Sequence, residues 1–271
     1  MFGRRLITGS LLAAAILAAP VRAGNGDLLV APTRVVLEGA RGTEVILNNI
    51  GSETATYRIS LEVRRMLPDG TLEDIAPDAA NDREKKALAM ISYAPRKIVL
   101  APNQPQSIRI GLRPPADLPD GEYRVHMLFR AIPDAKPITA PAQATGVSIS
   151  ITPIYGVTIP IIVRKGRLEA TAAISNPRVV TVDGKSELVV ALTRKGTRST
   201  YGGIRIFKPG QAKPVYEARG IAIYAEVAQR DVHLPLPPEL APLLKGPATV
   251  QYVEDPEAGG RVIAEVQTVI R

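Results

Sequence analysis

Gly146 to Arg164 reads GVSISITPIYGVTIPIIVR, and the fold turns on how this stretch is read. Its odd positions are Val147, Ile149, Ile151, Pro153, Tyr155, Val157, Ile159, Ile161 and Val163, all apolar or aromatic. The even positions include Ser148, Ser150, Thr152, Thr158 and Arg164. A period of two puts successive side chains on opposite faces of a strand. Strands usually run about 5–6 residues, so this one is long. Pro153 and Pro160 cannot donate to a ladder, which points to an edge strand or a bulge. An open apolar edge recruits other chains. Either another part of the chain covers it or its task is to pair with a partner. Two consecutive core strands joined at Pro153–Gly156 would give the same pattern.

Outward from this stretch, short alternating runs continue in both directions. Before it come Asp27–Leu37, interrupted at Pro32, with Leu29, Ala31 and Thr33 on one side. Thr43–Leu47, Thr56–Arg64, Ile98–Leu100, Ser107–Leu112 and Glu122–Arg130 follow. Pro68-Asp69-Gly70 has turn chemistry. Asn81–Met90 is the one good local helix former, capped at Asn81 or Asp82. After the long stretch, seven further strands are expected in about 100 residues. They are Leu168–Ile174, Glu187–Arg194, Gly203–Phe207, Pro214–Tyr224, Arg230–Leu236, Ala248–Val253 and Arg261–Ile270. Such spacing predicts antiparallel sandwiches. The fold class is therefore all-β: two immunoglobulin-like β-sandwich domains, 24–164 and 165–271. Their link, Arg164-Lys165-Gly166-Arg167, is short, which favours a fixed angle with a cleft between them.

Residues 1–23 read as a secretory signal peptide: basic Arg4 and Arg5, a short apolar run, and Val21-Arg22-Ala23 before the cut. The apolar run is too short to span a bilayer well, and no later run reaches that length, so no membrane insertion of the mature chain is expected. The 271 residues contain 34 Lys and Arg against 26 Asp and Glu. Losing Arg4, Arg5 and Arg22 leaves 31 against 26, a net +5. These charges are scattered, which argues against nucleic acid as a partner. The absence of cysteine excludes disulfides and thiolate metal sites. The leader and the cysteine-free composition point to the periplasm.

The sequence carries no G-x-S-x-G elbow, Walker-type loop or H-E-x-x-H motif. His126 and His233 each lie in an alternating segment, where a structural role is the ordinary one. The polar, glycine-rich run 196–203 reads as a hairpin connection. No catalytic residue, metal site or cofactor is expected, and the chain is not read as an enzyme. One reading of such a chain is a secreted β-sandwich adhesion or carbohydrate-binding module. Its aromatic content of 4% argues against that, because sugar faces stack on aromatic rings.

Several short matches occur in order. They are Pro32-Thr33-Arg34-Val35-Val36-Leu37, Leu47-Asn48-Asn49 with Tyr57, Leu100-Ala101-Pro102 with Ser107-Ile108-Arg109-Ile110, Leu118-Pro119 with Glu122-Tyr123-Arg124, and Phe129-Arg130-Ala131-Ile132-Pro133. Together they resemble the periplasmic chaperones of chaperone–usher pilus assembly, over roughly 28–165. The resemblance implies a boomerang of two immunoglobulin-like domains that binds pilus or fimbrial subunits by donor-strand complementation and delivers them to an outer-membrane usher. It implies a donor row of Val147, Ile149, Ile151, Pro153 and Tyr155. It further implies an arginine–lysine anchor for the subunit's terminal carboxylate. Arg34 matches the arginine. The family's lysine falls on Pro160, so the anchor is incomplete or rebuilt, with Arg164 or Lys165 as its replacement. This marks a divergent branch of the family.

Overall fold

The structure, a computed structural model, describes residues 28–39, 42–133, 154–256 and 259–271. In chain order its first half contains β1 (Leu28–Ala31), β2 (Val35–Glu38), β3 (Thr43–Asn49), β4 (Ala55–Met66) and β5 (Leu72–Ile75). Then come α1 (Asp82–Met90), β6 (Ile91–Ala94), β7 (Lys97–Leu100), β8 (Pro105–Leu112), β9 (Gly121–Ile132) and β10 (Gly156–Lys165). The second half contains β11 (Ala170–Val182), β12 (Lys185–Gly196), β13 (Thr200–Phe207), β14 (Tyr216–Ile223) and β15 (Gln229–Pro235). It ends with α2 (Leu240–Leu244), β16 (Gly246–Glu254) and β17 (Val262–Ile270).

The first sandwich packs the sheet β1-β3-β8-β6 against the sheet β2-β10-β9-β4-β5, with β7 also on β4. The alternation in the sequence sets this packing. Val45 and Leu47 of β3 and Ile108 and Ile110 of β8 meet Tyr123, Val125, Met127 and Phe129 of β9 across the core. Each such side chain, fully buried, contributes about 1.5–3 kcal/mol. The second sandwich packs β11-β12-β15 against β14-β13-β16-β17 around Leu188, Val190, Leu192, Ile204, Ile206 and Tyr252. The chain is thus all-β, two sandwiches with a cleft between them. All seven strands expected after the long stretch are present.

The opening strand differs from its reading. It divides at Pro32 and changes sheets: β1 pairs with β3, while β2 runs parallel to β10 from Ile161↔Val35 to Arg164↔Glu38. Leu29, Ala31 and Thr33 are exposed, whereas Val30, Val35 and Leu37 are buried. The inward row changes parity at the crossover, because each half answers to a different sheet. The helix is as expected. Asn81 Oδ1 accepts from Glu84 N and Glu84 Oε2 accepts from Asn81 N, a full capping box. β5, β6 and α2 have no counterpart in the sequence reading.

β9 organises the joint between the halves. Its odd residues enter the first core, so Glu122, Arg124 and His126 share the opposite face. That face meets the second sandwich. Glu122 bonds Ser199, Arg124 pairs with Glu226, and the His126 ring stands edge-on to Tyr224 at 6.1 Å. Met66 of β4 and Ile162 of β10 pack into the second core. The β4–β5 turn reaches across as well, with Asp231 N donating to Pro68 O at 2.9 Å. Gly70 in that turn has φ +88° and lies against the Arg230 guanidinium, where a Cβ would stand 2.2 Å from Nε. The dihedral favours glycine, and a Cβ would also have to push the end of the Arg230 side chain aside.

Candidate functional site

A cleft of about 1230 Å³ opens between the sandwiches. Arg34, Arg164 and Lys165, the three residues expected to form the anchor, all line it. Pro160, in the family's lysine position, is not on its wall and sits opposite His126 in the β9–β10 ladder.

The three cations differ in what they already hold. Arg164 Nε meets Glu122 Oε2 at 3.0 Å, and its Nη1 lies 3.8 Å from Glu38. Lys165 Nζ donates to the Leu118 carbonyl. Among the described residues Arg34 makes no carboxylate pair. Its Nη2 donates to Ser199 Oγ at 3.3 Å, and its guanidinium carbon lies 4.5 Å from the centre of the Tyr201 ring. Arg34 Nη1 is closed off from solvent without an acceptor. Burial lowers the Arg34 pKa, with the Arg164 charge adding to that, against the raising effect of Tyr224, Glu122 and Tyr201. The guanidinium remains a cation. Arg34 is therefore a largely desolvated positive charge on the cleft with no counter-carboxylate among the described residues, while Arg164 and Lys165 are largely committed within the fold.

Glu122 lies behind these cations as a hub. It is buried, and besides Arg164 it accepts from Ser199 N at 3.1 Å and from Ser199 Oγ at 3.0 Å. Behind Ser199, buried Arg194 donates to four carbonyls: Val227 at 3.2 Å, Ala225 at 2.7 Å, Gly196 at 2.9 Å and Arg198 at 3.1 Å. One guanidinium thus shapes both loops of the second sandwich that reach the joint. The sequence reading took 196–203 for a plain connection and left Ser199, Tyr201, Arg194 and Glu226 unmarked. The pair Gly202-Gly203 was a usable signal, since a Cβ on Gly202 would stand 1.9 Å from the Val253 carbonyl. Such close backbone approach ties down the strand that carries Tyr201 to the cleft and leads back to Ser199.

The second part of the site is the edge of β10. β9 pairs with it from Gly156 to Lys165, but β2 covers its other side only from Ile161 to Arg164. Among the described residues, 156–160 have no strand on that side. Ile159, Ile161 and Val163 are buried in the first core, and Val157 packs on it. Ile154 and Tyr155 are 49% and 55% exposed, although the Tyr155 carbonyl still accepts from Ala131 N at 2.9 Å. The apolar row thus leaves the sandwich at Tyr155 with its backbone still in line. Val147, Ile149, Ile151 and Pro153 lie outside the described residues, as does the leader 1–23.

Among the described residues no cluster of His, Asp and Glu is placed to hold a metal ion, and no helix is long and apolar enough to cross a membrane. His126 is fully buried with both ring nitrogens unpartnered. Burial first, then the charges of Arg124 and Arg64, lower its pKa to about 3. His233 bonds Glu187 at 3.0 Å on the surface of the second sandwich.

No family model matches the chain, and no curated protein matches it significantly. Solved structures do resemble it. The YadV chaperone is 13% identical, with a TM-score of 0.47 over 89% of this chain and 100% of that one. The E. coli chaperone DraB is 15% identical, with a TM-score of 0.46 over 90% and 96%. The CsuC–CsuE chaperone–tip adhesion subunit complex from archaic chaperone-usher Csu pili of Acinetobacter baumannii gives 14%, 0.45, 90% and 97%. Identities of this size and TM-scores below 0.5 describe a likeness and no more.

Proposed function

We propose that this chain is a periplasmic chaperone that binds and stabilises pilus or fimbrial subunits by donor-strand complementation and hands them to an outer-membrane usher. It acts by binding, without catalysis. The domains are 24–164 and 165–271, behind a leader cleaved after Ala23. The observation that carries this reading is the half-covered β10. It presents an open edge over 156–160, and its covered end runs along the cleft that holds Arg34. An extended segment of a subunit would add to that edge, its affinity coming from main-chain hydrogen bonds and from alternate side chains in pockets. The row Val147, Ile149, Ile151, Pro153 and Tyr155 would enter a subunit core that lacks a strand. Arg34 would take the subunit's terminal carboxylate, since a guanidinium fork matches a carboxylate in geometry and charge. That contact would fix register, because a one-residue slip turns every apolar side chain to the wrong face.

Amide hydrogen exchange of the mature chain, alone and mixed with a strand-deficient pilus subunit, tests this. Binding is expected to protect amides over 154–159, with Pro160 silent because it has no N–H. A complex that leaves those amides exchanging as in the free chain would overturn the reading.

A further inference from the structure

The cation of the first sandwich is held from the second. Arg34 belongs to the β1–β2 crossover, yet its partners among the described residues, Ser199 Oγ at 3.3 Å and the Tyr201 ring at 4.5 Å, belong to the second sandwich. Ser199 is fully buried, and its hydroxyl donates to Glu122 Oε2 at 3.0 Å. With its proton committed there, Ser199 Oγ turns lone pairs toward Arg34. Tyr201 supplies the face of a π-system, which stabilises a cation without accepting its N–H groups in the plane. A carboxylate in the same place would occupy the fork and compete with a ligand. Glu122, whose charge acts on Arg34, is instead engaged by Arg164 and by Ser199 N. The arrangement supports the charge and restrains its rotamers while the Arg34 side chain still lines the cleft.

We infer that Ser199 and Tyr201 are positioning residues for Arg34, holding its fork to receive a peptide's terminal carboxylate, so that the anchor is complete only while the two sandwiches are docked. This rests on the reading of Arg34 as the carboxylate anchor. It also accounts for a site with proline at the family's lysine position: an aromatic face and a hydroxyl support one arginine where the family pairs two cations.

The test uses a peptide copying the C-terminal strand of a pilus subunit, prepared with a free carboxylate and as its amide. Dissociation constants for both are measured by fluorescence anisotropy at low salt, where ion pairs are strongest. The wild-type chain is expected to prefer the carboxylate by about tenfold. Arg34→Ala should bring the ratio near one. Tyr201→Leu and Ser199→Ala should each lower it severalfold while leaving the amide peptide's affinity unchanged. Tyr201→Phe, which keeps the ring face, should keep the ratio. If Arg34→Ala removes the preference but Tyr201→Leu and Ser199→Ala retain it, the positioning role is wrong and the anchor stands. If the wild type has no preference, or Arg34→Ala keeps it, the anchor reading itself fails. Equal loss of both peptides in Tyr201→Leu and Ser199→Ala would assign those residues to the domain joint alone and overturn the inference.

Discussion

Arg124 of the first sandwich and Glu226 of the second form a two-pronged pair, Nη2–Oε1 at 2.5 Å and Nη1–Oε2 at 3.0 Å. The same Arg124 donates to the Arg64 carbonyl and lies 3.6 Å over the Tyr224 ring, while Glu226 Oε1 also accepts from Met66 N. Burial pushes the Glu226 carboxyl up, but Arg124 and the Met66 N–H together bring it below its ordinary value. Glu122 and Ser199 make another polar contact across the joint, with Met66 and Ile162 supplying apolar ones. The two sandwiches are therefore joined both by specific polar bonds and by apolar packing.

Glu226→Gln keeps an acceptor for Met66 N and removes the charge facing Arg124. The Arg124 side chain is only 9% exposed, so an almost buried cation would lose its counter-charge. A fully buried broken pair costs about 3–5 kcal/mol, and the partial exposure of Glu226 brings the expectation to about 2 kcal/mol. Calorimetry should show a lower first transition, with the two sandwiches unfolding more nearly as separate units.

His126 sets a pH dependence. Below pH 6.5 the unfolded chain protonates this ring, while the folded chain, with the ring held to about 3, does not. Protons then favour the unfolded state, so stability is full above pH 6.5 and is lost as pH falls toward 3. Between pH 7.5 and 5.5 the loss from this residue is about 1.4 kcal/mol. Urea unfolding at those two pH values should show that loss in the wild type and not in His126→Leu. Both ring nitrogens lack partners, so His126→Leu should cost little at pH 7.5.

Arg194 binds four carbonyls of two separate loops, and one of those loops carries Glu226 while the other leads to Ser199. A lysine ammonium cannot span the same four oxygens from one point. Arg194→Lys should therefore lower stability by about 2–3 kcal/mol, as expected for losing charged hydrogen bonds in a buried site. The loosening should also appear as faster amide exchange over 196–199 and 224–228.

The capping box at Asn81 predicts a local effect. Glu84 serves the helix N-terminus and also takes both Nε and Nη2 of Arg65 at 2.7 Å. Asn81→Ala removes the acceptor for Glu84 N and should cost about 1 kcal/mol. Thermal unfolding should register that loss, while the wild-type ratio of carboxylate to amide peptide binding should be unchanged, since no residue of α1 lines the cleft.

Much of this architecture was legible from periodicity alone. The seven strands of the second half, the β8–β10 pattern and the helix at Asn81 follow from local rules: alternation fixes which residues share a face, and capping chemistry fixes where a helix starts. The cleft was partly legible, since Arg34, Arg164 and Lys165 line one wall as the motif order suggested. Periodicity does not say what covers a face. Glu122, Arg124 and His126 look like the solvated side of β9, and only the docking of a second sandwich buries them. The crossover at Pro32 was hidden for a similar reason, because the two halves of one apolar run serve different sheets. Ser199, Tyr201 and Arg194 belong to a loop and its flanking strands, at least 62 residues after the end of β9 at Ile132, and no local pattern links them to Arg34. The sequence determined the strands and their apolar rows, which depend on neighbours one to four residues apart. The tertiary structure decided which polar residues share a site, because burial and hydrogen bonding act between residues that the chain order leaves far apart.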